Sequence, residues 1–204
     1  MYKKFGKRLI DILLSACGIL VLSPVLLVLV IAIKLDSPGP VLFKQKRVGI
    51  HKTHFHILKF RTMRIDTPRD TPTHLLENPE QWITKVGGFL RKTSLDELPQ
   101  LFNILAGHMA IVGPRPALWN QFDLIAERDK YGANDIRPGL TGWAQINGRD
   151  ELEIDVKARY DGEYVERMSL AFDTRCILGT VTAVLRRDGV VEGGTGAVKM
   201  KNEK

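Results

Sequence analysis

Residues 12–33 read ILLSACGILVLSPVLLVLVIAI, and the reading of this run decides the architecture. It is 22 residues without a charge. As a straight helix it reaches about 33 Å, enough to cross the hydrocarbon core of a bilayer. It is too long for a signal peptide and lacks a small-residue cleavage site. Two features count against a simple crossing. Ser23-Pro24 falls in the middle, where proline removes a backbone hydrogen bond and bends a helix. Basic residues flank both ends: Lys3, Lys4, Lys7 and Arg8 before it, then Lys34, Lys44, Lys46 and Arg47 after it. Positive charge marks the cytoplasmic side, and one crossing cannot place both flanks there. A kinked segment that enters and leaves through one leaflet can. On these features alone a proline-kinked anchor and a re-entrant hairpin stand nearly level.

The remainder of the 204 residues makes one domain. A formal charge of +7 suits phosphorylated ligands, nucleic acid or an anionic membrane surface and chooses among none of them. Cys17 and Cys176 are too few and too far apart for a disulfide framework, which fits a reducing cytosol. The turn cluster Asp36-Ser-Pro-Gly-Pro40 closes the membrane segment. The division is therefore 1–36, a membrane segment; 37–192, the main domain; and 193–204, a flexible tail. Val41–Phe43 and Thr53–Phe60 read as strands joined through Gly49. Residues 64–80 are polar, hold three prolines and read as a loop. Helical spacing marks Asp96–Leu105, Leu118–Tyr131, Glu151–Arg167 and Asp173–Arg187, with a Gly-rich loop over Arg137–Gly148. The expected class is α+β: a small helix-rich domain with a short β-hairpin, an N-terminal membrane helix and amphipathic helices lying at the interface.

The chemistry concentrates in residues 91–116, RKTSLDELPQLFNILAGHMAIVGPRP. Asp96 and Glu97 stand together where a helix should begin, preceded by Arg91 and Lys92. Acidic residues are common in first turns, and Ser94 to Glu97 matches a capping box. Pro99 complicates that register, since a proline belongs in a first turn. Asp96 as the cap fits better and places its carboxylate at the positive helix pole, where it should stay ionised. Arg115 is fixed between Pro114 and Pro116. An exposed turn arginine is the ordinary reading; a preorganised, bidentate phosphate ligand is the functional one. Lys59 and Arg61 share one face at the end of a strand, which alone reads as a solvated edge. His51, His54 and His56 crowd one strand without a carboxylate and make a poor metal site.

Several of these strings occur together and in order. They run from Lys-Arg-x-Ile-Asp at Lys7–Asp11, through Ser23-Pro24, Gln45-x-Arg47-x-Gly49, Lys59-Phe-Arg61, Asp96-Glu97 and Gly113-Pro-Arg-Pro116, to Arg137-Pro-Gly-Leu-Thr-Gly-Trp-Ala-Gln-Ile-Asn-Gly-Arg149. In this the chain resembles the bacterial sugar transferases, the monotopic phosphoglycosyl transferases, over nearly its whole length. The resemblance favours the re-entrant form of the membrane segment. It implies transfer of a sugar 1-phosphate from a UDP-sugar to polyprenol phosphate, most simply undecaprenyl phosphate, with release of UMP. It implies Asp96 as the nucleophile that carries the phosphosugar and Glu97 as its acid/base neighbour. Magnesium is the implied cofactor, with Asp96 as its protein ligand. Lys59, Arg61, Arg91 and Arg115 become candidate phosphate contacts. Arg137, Thr141, Gln145 and Arg149 become candidates near the nucleotide. The implied partners are the UDP-sugar, polyprenol phosphate and membrane lipid, without nucleic acid; a homo-oligomer is left open. The implied location is the cytoplasmic face of the bacterial inner membrane. The rival from another class is a membrane-tethered protein that binds anionic lipid or nucleic acid without catalysis. It needs the basic residues and has no use for Asp96. A non-catalytic scaffold would have no use for the acid pair or for Gly113–Pro116.

Overall fold

The structure is a computed structural model that describes residues 2–67, 78–148 and 152–186. Helix α1 (Lys7–Asp36) contains the whole apolar run and carries Pro24 inside it. Proline cannot donate a backbone hydrogen bond, and beside it the Ser23 hydroxyl donates to the Leu20 carbonyl at 2.7 Å. Both ends of α1 are fastened to the same body. At the first end, Arg8 donates to the carbonyls of Ile104 and Leu105 at 2.7 and 2.9 Å. Asp11 accepts the Ile111 N–H at 3.0 Å. At the second end, Leu29 and Ile33 pack with Phe60 and Leu90. Asp36 there accepts the Val86 N–H at 3.1 Å. Between the two anchors Leu20, Val21, Leu27 and Val28 are exposed. Among the described residues α1 is the one helix long and apolar enough to cross a membrane.

The linker after α1 leads into an antiparallel hairpin, β1 (Leu42–Val48) and β2 (His54–Phe60), paired from Leu42↔Phe60 to Val48↔His54. The first strand is longer than the Val41–Phe43 expected. Alternation puts Phe55 and Ile57 in the core and leaves His54 and His56 outside. The chain turns through Gly49 and a short turn in which His51 and Lys52 adopt φ of 51° and 57°. The free edge of β2 is closed by a side chain. Asn103 accepts the Leu58 N–H at 2.8 Å and donates to the His56 carbonyl at 2.9 Å.

Helix α2 (Lys85–Thr93) has no counterpart in the sequence reading. Thr84 caps it, accepting the Gly87 N–H at 3.0 Å. Gly87 lies flat against residue 62: a Cβ there would stand 2.0 Å from the Thr62 carbonyl oxygen. Ser94, at φ 56°, ends α2 in a left-handed turn. The acid pair follows in a 3-10 turn, Leu95–Glu97, and α3 (Gln100–Leu105) begins only after Pro99. This corrects the expected helix over Asp96–Leu105. Pro99 lacks the N–H that a continuous helix would need, so Asp96 is no N-cap and the capping box at Ser94 does not form.

Two three-residue strands, β3 (Ala110–Val112) and β4 (Gly139–Thr141), pair in parallel as Ala110↔Gly139 and Val112↔Thr141. Between them lies α4 (Phe122–Asp129), shorter than expected at both ends. The segment read as a Gly-rich loop thus contains β4 and the single turn α5 (Trp143–Ile146). Helices α6 (Ile154–Arg167) and α7 (Leu170–Arg186) complete the fold. They enclose Val112, Trp143, Tyr164, Phe172 and Cys176. Arg128 of α4 and Asp161 of α6 form a buried ion pair at 2.7 Å. Gly162, unusual inside a helix, lets Tyr131 approach: a Cβ there would stand 2.6 Å from the Tyr131 Cβ. The class is α+β with an N-terminal apolar helix. Residues 68–77, most of the expected loop, and the tail from 193 lie outside the described residues.

Candidate active site

Four elements bring their charged side chains together. Lys59 comes from the end of β2, Arg91 from α2, the acid pair from the 3-10 turn, and Arg115 from the turn after β3. Lys59 Nζ lies 2.8 Å from Glu97 Oε1 and 3.8 Å from Asp96 Oδ2. Arg115 Nη2 lies 3.0 Å from the same Glu97 oxygen. Glu97 therefore receives two cations on one atom, while Asp96 makes a loose contact with one. The side chains of Asp96 and Arg115 are 13% and 38% exposed, so the cluster is open on the Arg115 side.

The two carboxyls are driven in opposite directions. Burial pulls Glu97 upward, but the charges of Arg115 and Lys59 and their hydrogen bonds outweigh it. Glu97 is held well below the usual carboxylate range. Its folded value is below its unfolded one, so the cluster stabilises the fold at neutral pH and loses that contribution as acid protonates it. Asp96 is raised, first by burial and then by the neighbouring Glu97 charge, against Lys59, Arg91 and Arg115, which lower it. This corrects the expectation of a helix pole holding Asp96 ionised: α3 starts four residues too late, and the nearby cations oppose the burial instead. Two adjacent acids of one motif thus take different parts. Glu97 is a fixed counter-ion that orients Lys59 and Arg115. Asp96 is a less solvated carboxylate with its oxygens uncommitted to a short ion pair.

The other expected contacts are arranged differently. Arg61 is buried and donates to the carbonyls of Pro38 and Ser37 at 2.5 and 2.8 Å, clamping the linker after α1. Arg137 is exposed and its Nε donates to the Gly107 carbonyl at 2.9 Å. Thr141 Oγ1 lies 2.5 Å from Thr180 Oγ1. The Gln145 amide faces the Gly113 carbonyl at 3.5 Å. Arg149 lies outside the described residues. Of the three histidines, His51 pairs with Asp135 at 3.1 Å on the surface, and His54 and His56 face outward. Arg47 has a more definite task than its motif suggested: it donates to the Pro116 carbonyl at 3.0 Å and to Gln45 Oε1 at 2.6 Å, bracing the Arg115 turn. Asn103 was missed. Its signal was a lone amide among Leu101, Phe102, Ile104 and Leu105.

Among the described residues no three His, Cys, Asp or Glu side chains gather as a metal cage. With Glu97 engaged by two cations, the cluster offers a metal one carboxylate, Asp96. That suits magnesium, which takes few protein ligands and fills its shell with water and phosphate oxygens.

The model of the family described as bacterial sugar transferase matches residues 2–187. The UDP-glucose:undecaprenyl-phosphate glucose-1-phosphate transferase of Escherichia coli K12 is 40% identical over 188 residues, 86% of this chain and 39% of the relative. The undecaprenyl-phosphate galactose phosphotransferase of Salmonella typhimurium is 36% identical over 200 residues, 91% of this chain and 42% of the relative. The exopolysaccharide production protein PSS of Rhizobium leguminosarum is 42% identical over 195 residues, 89% of this chain and 96% of the relative. The chain spans about two-fifths of the length of the first two. A match that runs almost from end to end makes this chain a member of the bacterial sugar transferase family.

Proposed function

We propose that the protein is a membrane-associated phosphoglycosyl transferase that moves a sugar 1-phosphate from a UDP-sugar to polyprenol phosphate. The observation that carries this reading is the split acid pair: a loosely held Asp96 beside a Glu97 that fixes Lys59 and Arg115. An Asp96 oxygen attacks the sugar-bearing phosphorus. The bond from that phosphorus to the bridging oxygen breaks, and UMP leaves with the electron pair. A phosphate oxygen of the polyprenol phosphate then attacks the same phosphorus, the aspartyl bond breaks, and polyprenol diphosphate sugar leaves with Asp96 restored. Lys59 and Arg115 bind the phosphate oxygens on which charge accumulates. Bound through Asp96 and the diphosphate, magnesium would neutralise the charge that opposes a carboxylate's approach. The direct test is UMP release on mixing the protein with a panel of UDP-sugars and magnesium. A protein that binds anionic lipid or nucleic acid and releases no UMP from any of them would displace this reading.

Arg115→Lys keeps the charge and loses the planar fork. Turnover should fall at least about tenfold, equivalent to roughly 1.4 kcal/mol of transition-state stabilisation. Steady-state UMP release measures it, and near-normal turnover would leave Arg115 as a turn residue only.

The membrane segment is read as re-entrant, with the main domain on the cytoplasmic face of the inner membrane. What supports this is that residues 8–11 and residues 29–36 of α1 are bound to the same body, with basic flanks at both ends. A path that enters and leaves through one leaflet keeps the contacts at both ends, whereas a crossing would give up those at one end. In a background with Cys17 and Cys176 replaced by serine, Lys3→Cys and Lys44→Cys should both resist an impermeant thiol reagent applied to intact cells. Labelling of Lys3→Cys alone would mean a spanning helix.

A further inference from the structure

The segment 139–145 stands one backbone layer behind Arg115, and the chemistry above leaves it without a task. Its polar side chains do not face the acid pair. Thr141 meets Thr180, and Gln145, 8% exposed, is too enclosed to meet a nucleotide in this conformation. Its backbone is instead bound to the arginine turn. The Gly113 N–H donates to the Thr141 carbonyl and the Gly139 N–H to the Pro114 carbonyl, each at 2.8 Å. The contact is tighter than side chains permit. A Cβ on Gly139 would stand 2.1 Å from the Gly113 nitrogen, and one on Gly142 would stand 2.1 Å from the Gly113 oxygen. The Gln145 amide covers that same oxygen. Beyond the turn, Arg47 holds the Pro116 carbonyl at 3.0 Å. Arg115 thus leaves a backbone pinned on both sides, with φ fixed at Pro114 and Pro116.

We propose that residues 139–145 are a positioning element for Arg115, in which Gly142 and Gln145 set where its guanidinium meets the substrate phosphate, and that they do not contact the nucleotide. The inference rests on the transferase reading. A cation that must meet a phosphate bidentately loses its advantage when displaced by a fraction of an ångström, so preorganisation of its backbone is part of its function.

The test is a double-mutant cycle on the full chain in lipid nanodiscs. Gly142→Ala is the severe variant; Gln145→Met, close in volume and without the amide donor, is the mild one. Each is made alone and together with Arg115→Ala. Every protein is read for UMP release, for equilibrium binding of UDP and for thermal unfolding. Gln145→Met alone should lower UMP release about tenfold with an unchanged melting temperature. In the Arg115→Ala background it should cause no further loss in UMP release or in UDP binding. Equal fold-losses in both backgrounds, in either quantity, would overturn the inference, because Gln145 would then act on the nucleotide directly. An undiminished Gln145→Met would overturn it as well. Wild-type protein that releases no UMP from any UDP-sugar would instead sink the transferase reading beneath it.

Discussion

Asp96→Asn is expected to abolish both turnover and the covalent intermediate while leaving the fold intact. An amide oxygen is a poor nucleophile toward phosphorus, and the substitution preserves shape. Asp96 contributes little that the fold depends on: its ion pair with Lys59 is loose at 3.8 Å, and Lys59 keeps its 2.8 Å contact with Glu97. Removing a charge that burial and Glu97 both disfavour should leave stability unchanged or slightly raised. With wild-type protein, UDP-sugar and magnesium but no lipid acceptor, UMP should appear stoichiometric with enzyme. Intact-protein mass spectrometry of a rapidly quenched sample should then show one added phosphosugar, on a peptide containing Asp96. Full reactions should show ping-pong kinetics. Adduct formation by Asp96→Asn, or no added mass on the active wild type, would make direct transfer within a ternary complex the better mechanism.

The parts legible in the sequence share one property: their signal is long. The uncharged run of α1, and the apolar spacing of α6 and α7, span several turns each and were read close to their observed limits. The acid pair and the arginine between prolines each have an ordinary reading, a first-turn cap and an exposed turn residue, and stand out only through their place in an ordered series of family strings. The losses also have physical causes. Helix α2 was hidden by Gly87-Gly88, which lower helix propensity; Gly87 is required by the Thr62 backbone, a contact 25 residues away that no local pattern encodes. Strands β3 and β4 are three residues each, below the length at which alternation can be recognised. The Asp96 cap was misplaced because one proline moved the start of α3 by four residues. Arg61, Thr141 and Gln145 were found as motif members, but a motif does not tell which way a side chain faces. All three turned toward the protein.

Asp173→Ala is expected to destabilise the fold strongly. Asp173, 5% exposed, receives three donors: the Tyr2 hydroxyl at 2.5 Å, the Lys7 ammonium at 2.7 Å and the Tyr164 hydroxyl at 2.7 Å. Tyr164 is also 3.1 Å from the Val112 carbonyl, so this carboxylate joins the start of α1, helices α6 and α7, and β3, the strand that leads to Arg115. Without it, Lys7 stays largely enclosed with Asp11 at 4.0 Å as its nearest ion-pair partner, and the buried Tyr164 hydroxyl and the half-buried Tyr2 hydroxyl each lose an acceptor. Removing one member of a buried ion pair costs about 3–5 kcal/mol, because the other charge remains desolvated. For a chain of this size that corresponds to a fall in melting temperature of about 6–20 °C, measurable by tryptophan fluorescence in detergent. Lys7→Met added to Asp173→Ala should recover part of the loss, since the stranded charge is gone. A shift of less than about 2 °C in the single variant, or no recovery in the double one, would mean that the ammonium finds solvent at the domain edge and that α1 is held by its apolar contacts and Asp11 alone.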